Sequence, residues 1–220
     1  MFQSDYSIIP SSFKFEPSYL DFDGIPTLSH CDIAFAREHG GEYVNNIINE
    51  ILILNEFDPN RLKITVLNQR FSTGGTSIRP GWHSDWYSHS PVDYGEKRMA
   101  IFWFGSNVAP TEFYTGPLHD VALNGNESIP EDDFYSFRDA LVNKAIETYD
   151  CDVHVSSSNT IYELKPNTIH RPVPATGGGR RVLVKIEESD RPALNRKLET
   201  TTVYMPAPTL QYDKQLNEYL

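Results

Sequence analysis

The sequence predicts an α+β fold that is mainly β. Three observations carry this. Fifteen prolines and thirteen glycines are spread along the 220 residues, which sets many turns and few long helices. Several short stretches alternate apolar and polar side chains with the period of a strand. Two stretches carry helical spacing, and both fall between extended segments.

Taken in order, residues 1–30 mix aromatics with Pro10, Pro17 and Pro26 and have no helical period, so they read as extended pieces on the domain edge. Residues 41–56 read as a helix backing a sheet: Val44, Ile47, Ile48, Ile51, Leu52 and Leu54 gather on one face, and Gly40-Gly41 blurs its start. Residues 61–71 alternate, with Leu62, Ile64 and Val66 on one side and Lys63 and Thr65 on the other. A turn at 72–76 leads to Gly81-Trp82-His83-Ser84-Asp85-Trp86. A polar loop at 93–97 precedes a buried strand at 99–104, and 110–114 is the next short strand.

Residues 116–130 read as a loop. Ser128, Pro130, Glu131, Asp132 and Asp133 then start a helix, with acidic groups at the positive end of its dipole. Phe134, Phe137, Leu141 and Ala145 mark its buried face, and it ends near Tyr149. This helix is an insertion that either covers a site or braces the fold from outside. Strands follow at 153–155 and 160–164, an extended piece from His170, a clear strand at 180–186 after Gly177-Gly178-Gly179, and one more at 200–204.

A chain of this length buries a full core as one domain. Its formal charge of −11 disfavours a general polyanion binder, because phosphate contacts need clustered Lys and Arg. Cys31 and Cys151 have no paired spacing, which argues against a disulfide framework or thiolate zinc site and suits a reducing cytoplasm. The N-terminus lacks the pattern of a signal peptide, and no apolar run reaches the roughly 20 residues of a membrane helix.

The candidate chemistry lies in two separated stretches. His83 and Asp85 are two apart, so on an extended strand both point to one side. His170 follows 87 residues later and Arg180 ten residues after that. Two imidazoles and one carboxylate make a face that holds a ferrous ion with open positions.

Gly81-Trp82-His83-Ser84-Asp85, together with 170–180 (His-Arg-Pro-Val-Pro-Ala-Thr-Gly-Gly-Gly-Arg), resembles the iron(II)- and 2-oxoglutarate-dependent oxygenases, in particular their prolyl-hydroxylase-like branch. The resemblance spans about residues 61–187. It implies a double-stranded β-helix (jelly roll) core there; outside that span, where nothing resembles the family, the chain reads as an N-terminal extended and helical support over 1–60 and a C-terminal tail over 188–220. It further implies iron(II) on His83, Asp85 and His170, with 2-oxoglutarate and O2 as co-substrates and ascorbate as an accessory reductant. The far carboxylate of 2-oxoglutarate would rest on an arginine, which offers two parallel hydrogen bonds.

Arg180 and Arg181 compete for that place. If Arg180 points inward, so do Val182, Val184 and Ile186. If Arg181 does, Lys185 and Glu187 come inside as well, and unpaired buried charge is costly. Strand phase therefore favours Arg180, with Arg181 as the alternative.

Other residues carry weaker signals. Trp82 and Trp86 line a pocket or pack in the core. His119 and His154 are alternative third ligands; His154 lies opposite Val153 and Val155 and is expected to face solvent. His89 is expected in an exposed loop. Asn68 or Arg70 reaches the pocket or lies on a solvated face. Arg171 points away from His170 by alternation. Cupins and non-catalytic β-sandwich modules are the competing classes: cupins need no arginine after the last histidine, and a binding module needs no iron. The substrate expected is a peptide side chain, an amino acid or another small metabolite, hydroxylated by default, with no nucleic acid or membrane partner.

Overall fold

The computed structural model describes residues 6–9, 21–55, 57–76, 81–84, 98–106, 108–116, 134–149, 153–165, 168–198 and 202–204. In chain order their strands are β1 (Tyr6–Ile9), β2 (Thr27–Cys31), β3 (Leu62–Phe71), β4 (Arg98–Gly105), β5 (Thr111–Tyr114), β6 (Val153–Val155), β7 (Ile161–Leu164), β8 (His170–Pro172), β9 (Gly179–Glu188), β10 (Arg196–Leu198) and β11 (Thr202–Tyr204). The helices are α1 (Ile33–His39), α2 (Gly41–Asn55) and α3 (Phe134–Tyr149). The fold is thus mostly β, as the turn-rich composition predicts.

Eight strands form one sheet in the order β1-β7-β4-β9-β3-β2-β10, with β11 parallel to the far end of β3. The other pairs are antiparallel. A second sheet has the order β6-β5-β8. β10 lies in the stretch read as a tail and β11 in the strand expected at 200–204, and both pair with this sheet.

Directly opposed residues of an antiparallel pair share a face, so the registers fix which side each residue takes. Leu62, Ile64 and Val66 of β3 share a face with Ile186, Val184 and Val182 of β9, and with Ala100, Phe102 and Phe104 of β4. That face packs on Val44, Ile47, Ile48 and Ile51 of α2 and forms the main core. Full burial of each such side chain is worth about 1.5–3 kcal/mol. Leu54, expected on the buried face of α2, is exposed at its end.

α1 was not visible in the apolar spacing. Its signal is a cap: Asp32 accepts a hydrogen bond from the Phe35 N–H at 2.8 Å, and Gly40 closes the helix. Gly41, at φ +75°, then turns the chain into α2.

The opposite face of the large sheet carries Met99, Ile101, Tyr162, Leu164 and Leu183, which pack with Phe113 of the small sheet. The Phe113 and Tyr162 rings stack at 5.3 Å. α3 covers the outer side of the small sheet through Val142 and Ala145, against Trp82, Tyr114 and Ile169. It is an outer brace. The expected helix start at 128–133, the loop over 116–130 beyond Gly116 and the polar loop at 93–97 lie outside the described residues.

Among the described residues no helix is long and apolar enough to cross a membrane. Cys31 is a buried free thiol, and Cys151 lies outside the described residues.

Candidate metal centre between the sheets

β8 starts at His170, which stands opposite Phe113 of β5. Phe113 looks at the large sheet, so His170 does too. His83 forms an isolated antiparallel bridge with His170, closed by two hydrogen bonds: His83 N–H to His170 O at 2.9 Å and His170 N–H to His83 O at 2.8 Å. Two residues 87 apart in sequence are thereby held side by side. Their ring centroids are 4.6 Å apart at 54°.

Each ring is also oriented by its own chain. His83 Nδ1 lies 2.9 Å from Gly81 O, and His170 Nδ1 lies 3.2 Å from Thr168 O. A carbonyl oxygen only accepts, so in both rings Nδ1 carries a proton, which in a neutral ring leaves the lone pair on Nε2. Exposure is 7% for His83 and 9% for His170. Two buried imidazoles held side by side, each with Nδ1 on a backbone carbonyl, are a donor set that fits a divalent first-row metal. Asp85, the expected carboxylate, lies outside the described residues, as do Trp86, His89 and His119. Among the described residues no three His, Cys, Asp or Glu side chains gather.

Trp82 points the other way. Its indole is buried under α3, its Nε1–H donates to Asn143 Oδ1 at 3.2 Å, and its ring meets Tyr114 edge-on at 6.1 Å. It is a core residue. Arg171 follows the expected alternation: its guanidinium lies 4.4 Å from the Trp82 ring centre and donates to Glu112 at 2.7 Å. The neighbours of both histidines are thus locked together behind them.

On the large sheet, strand phase is the reverse of the expectation. Arg180 shares the helix side with Val182, Val184 and Ile186; it lies 5.1 Å over Phe22 and donates to Asp23 at 2.7 Å. That ion pair holds the Asp23 carboxyl below its ordinary range. Arg181 points toward the small sheet. It is 3% exposed, donates through Nε to Gln69 Oε1 at 2.7 Å and through Nη1 to Ala109 O, and lies over Phe71 at 5.1 Å and Trp103 at 5.9 Å.

The reversed phase has two causes. The apolar side of β9 is satisfied by helices and not by the other sheet. The charges accompanying Arg181 are paired: Lys185 meets Glu187 at 3.2 Å, and Glu187 meets His30 at 3.1 Å. Gly105, opposite Arg181, makes the arrangement possible. Its φ is +126°, and a Cβ there would collide with the Arg180 carbonyl oxygen.

His154 does not face solvent. It shares Phe113's side of the small sheet and is half-buried, 6.2 Å from the Phe113 ring and 5.8 Å from Tyr162. Asn68 is buried on the helix side, donating to Phe22 O and Ile25 O, and Arg70 is exposed. Gln69, between them, is the residue of that strand that meets Arg181. Alternation from Asn68 was the available signal for it.

No family model matches the chain, and no curated protein matches it. Three similar solved structures are of the Kdo hydroxylase KdoO, described as a non-heme Fe(II) alphaketoglutarate-dependent dioxygenase. The complex with succinate and Fe(III) is 12% identical with a TM-score of 0.46, the apo structure 13% with 0.47, and the complex with alphaketoglutarate and Fe(III) 11% with 0.45. In each case 85% of this chain and 80% of the other are covered.

Proposed function

We propose that this protein is an Fe(II)- and 2-oxoglutarate-dependent oxygenase of the prolyl-hydroxylase-like branch, with a double-stranded β-helix over about residues 61–187. The observation that carries the reading is the His83–His170 bridge. It brings together the two histidines that the sequence pattern pairs, each with Nδ1 against a backbone carbonyl, on the side facing Arg181.

In this reading His83, Asp85 and His170 hold the metal. Bound iron would supply oxidation by O2 coupled to decarboxylation of 2-oxoglutarate. The chain's own part is positional. Gly81 O and Thr168 O keep the proton on Nδ1 of each imidazole and present Nε2 inward. Arg181, rather than Arg180, offers its guanidinium to the far carboxylate of 2-oxoglutarate, oriented by Gln69 and Ala109. Phe71 and Trp103 shield that charge from water, which strengthens its pairing with an anion. The substrate is a peptide side chain, an amino acid or another small metabolite, and its hydroxylation is the default outcome.

The test is an anaerobic titration of metal-free protein with Fe(II), then 2-oxoglutarate, followed by visible absorption. A weak charge-transfer band that needs both additions and disappears in His83→Ala and His170→Ala is expected. Iron binding without the band would point to a cupin-like enzyme. No iron binding would leave a non-catalytic module.

A further inference from the structure

Asp139 is out of place for a helix that packs on an apolar layer. It shares a stripe of α3 with Val142, Asn143 and Ile146, the spacing of a single helix face. Val142 and Ile146 pack in the cluster with Trp82, Tyr114 and Ile169. The carboxylate accepts from the Trp82 backbone N–H at 2.7 Å, and Asn143 takes the indole N–H of the same residue.

The hydrogen-bonded N–H belongs to the peptide group whose carbonyl is Gly81 O. That carbonyl accepts from His83 Nδ1 at 2.9 Å. One peptide unit therefore connects the Asp139 carboxylate to the His83 imidazole. A charged acceptor on the N–H side polarises the peptide and makes its carbonyl a better acceptor on the other. The backbone is shaped for this contact: Gly81 has φ +99°, and a Cβ there would come 3.1 Å from the Asp139 carboxylate.

We propose that Asp139 is a positioning residue that acts through the 81–82 peptide to hold His83 in its Nδ1–H tautomer and aim its Nε2 between the sheets. The tautomer is a property of the metal-free chain. The consequence for metal affinity rests on the function proposed above.

Long-range proton–nitrogen NMR of the metal-free protein, recorded at a pH where the nitrogen shifts themselves report neutral rings, reads each tautomer directly. Wild type should show Nδ1–H for both His83 and His170. Asp139→Ala should turn His83 into a tautomer mixture and leave His170, which leans on Thr168 O, unchanged. Asp139→Asn retains an acceptor and should keep the wild-type tautomer. Co(II) affinity should fall about 10–100-fold in Asp139→Ala, the usual effect of removing a partner that orients a ligand, and less in Asp139→Asn.

Val142→Ala loosens the same packing and serves as the control. If it shifts His83 as much as Asp139→Ala does, or if both histidines change together, Asp139 is merely structural and the proposal fails. An unchanged His83 in Asp139→Ala also overturns it. Should Asp139→Ala not fold, Gly81→Ala strains the same contact from the other side and must give the same selective change. A His83-selective change in a protein whose wild type binds no Co(II) would uphold the positioning role and sink the metal reading.

Discussion

The two faces of the large sheet are built from the same strands but to different rules. On the helix side β3, β4 and β9 present Ile64, Val66, Phe102, Phe104, Val182, Val184 and Ile186, and α2 closes over them. On the side facing the small sheet the same strands present Gln69, Trp103, Arg181, Lys185 and Glu187 among a few apolar residues. A sandwich built only for stability would put its most apolar face between the sheets. Here the interior carries buried charge and hydrogen-bonding groups opposite two histidines, and the stability comes from the helices behind. The difference teaches that the main core keeps to the helix face, while the site shares its face with only the smaller apolar cluster around Phe113.

The largest expected effect breaks the helix side alone. Phe102→Ala removes a fully buried ring and should cost about 3–5 kcal/mol of unfolding free energy in urea titration, while the surviving folded protein binds Co(II) as wild type does. A matching loss of metal affinity would mean the faces are not independent.

Arg181→Met tests the other face. An apolar side chain of similar length takes the donor away from Gln69 and Ala109 and should cost about 1–3 kcal/mol, less than Phe102→Ala, while removing the proposed 2-oxoglutarate contact. A stability loss as large as that of Phe102→Ala would make Arg181 a structural residue.

His30 sharpens the comparison through pH. Burial holds its pKa below the ordinary value; Glu187 opposes this, and Arg191, Lys185 and Lys63 add to it. The unfolded chain, with a histidine near 6.5, then binds the proton more tightly than the folded one. Stability should be fully present above about pH 6.5 and fall as pH drops through the folded pKa. His30→Gln should flatten that acid limb of the urea midpoint; an unaltered slope would assign the limb to other groups.

The smallest effect belongs to the outer ion pair. Asp23→Asn should leave the melting temperature essentially unchanged, because a carboxylate so exposed gains little from Arg180.

Much of this was legible in the sequence because strand alternation is local. The sides assigned to Leu62, Ile64 and Val66 against Lys63 and Thr65 match the registers of β3. The long-range pairing of His83 with His170 was legible only as a pattern, since nothing local brings a turn after β3 to the start of β8. Which face of β9 is interior was not legible. Val182, Val184 and Ile186 suit a helix layer as well as a barrel, and the pairing of Lys185, Glu187 and His30 spans 157 residues from His30 to Glu187. His154 was misread for a related reason: alternation gives sides, but not which side another layer will cover. Asp139 gave no signal, because its partner is a backbone N–H.

The central claim is that metal and co-substrate meet between the sheets, with the histidines on one wall and Arg181 on the other. Its most direct test is 2-oxoglutarate titration of the anaerobic Fe(II) protein in wild type, Arg181→Met and Arg180→Met, read by the charge-transfer band. The account predicts that Arg181→Met weakens 2-oxoglutarate binding at least about 100-fold, the loss of a buried charge-assisted pair, and that Arg180→Met stays within about twofold. The reverse order, with Arg180→Met losing the co-substrate and Arg181→Met keeping it, would contradict the account.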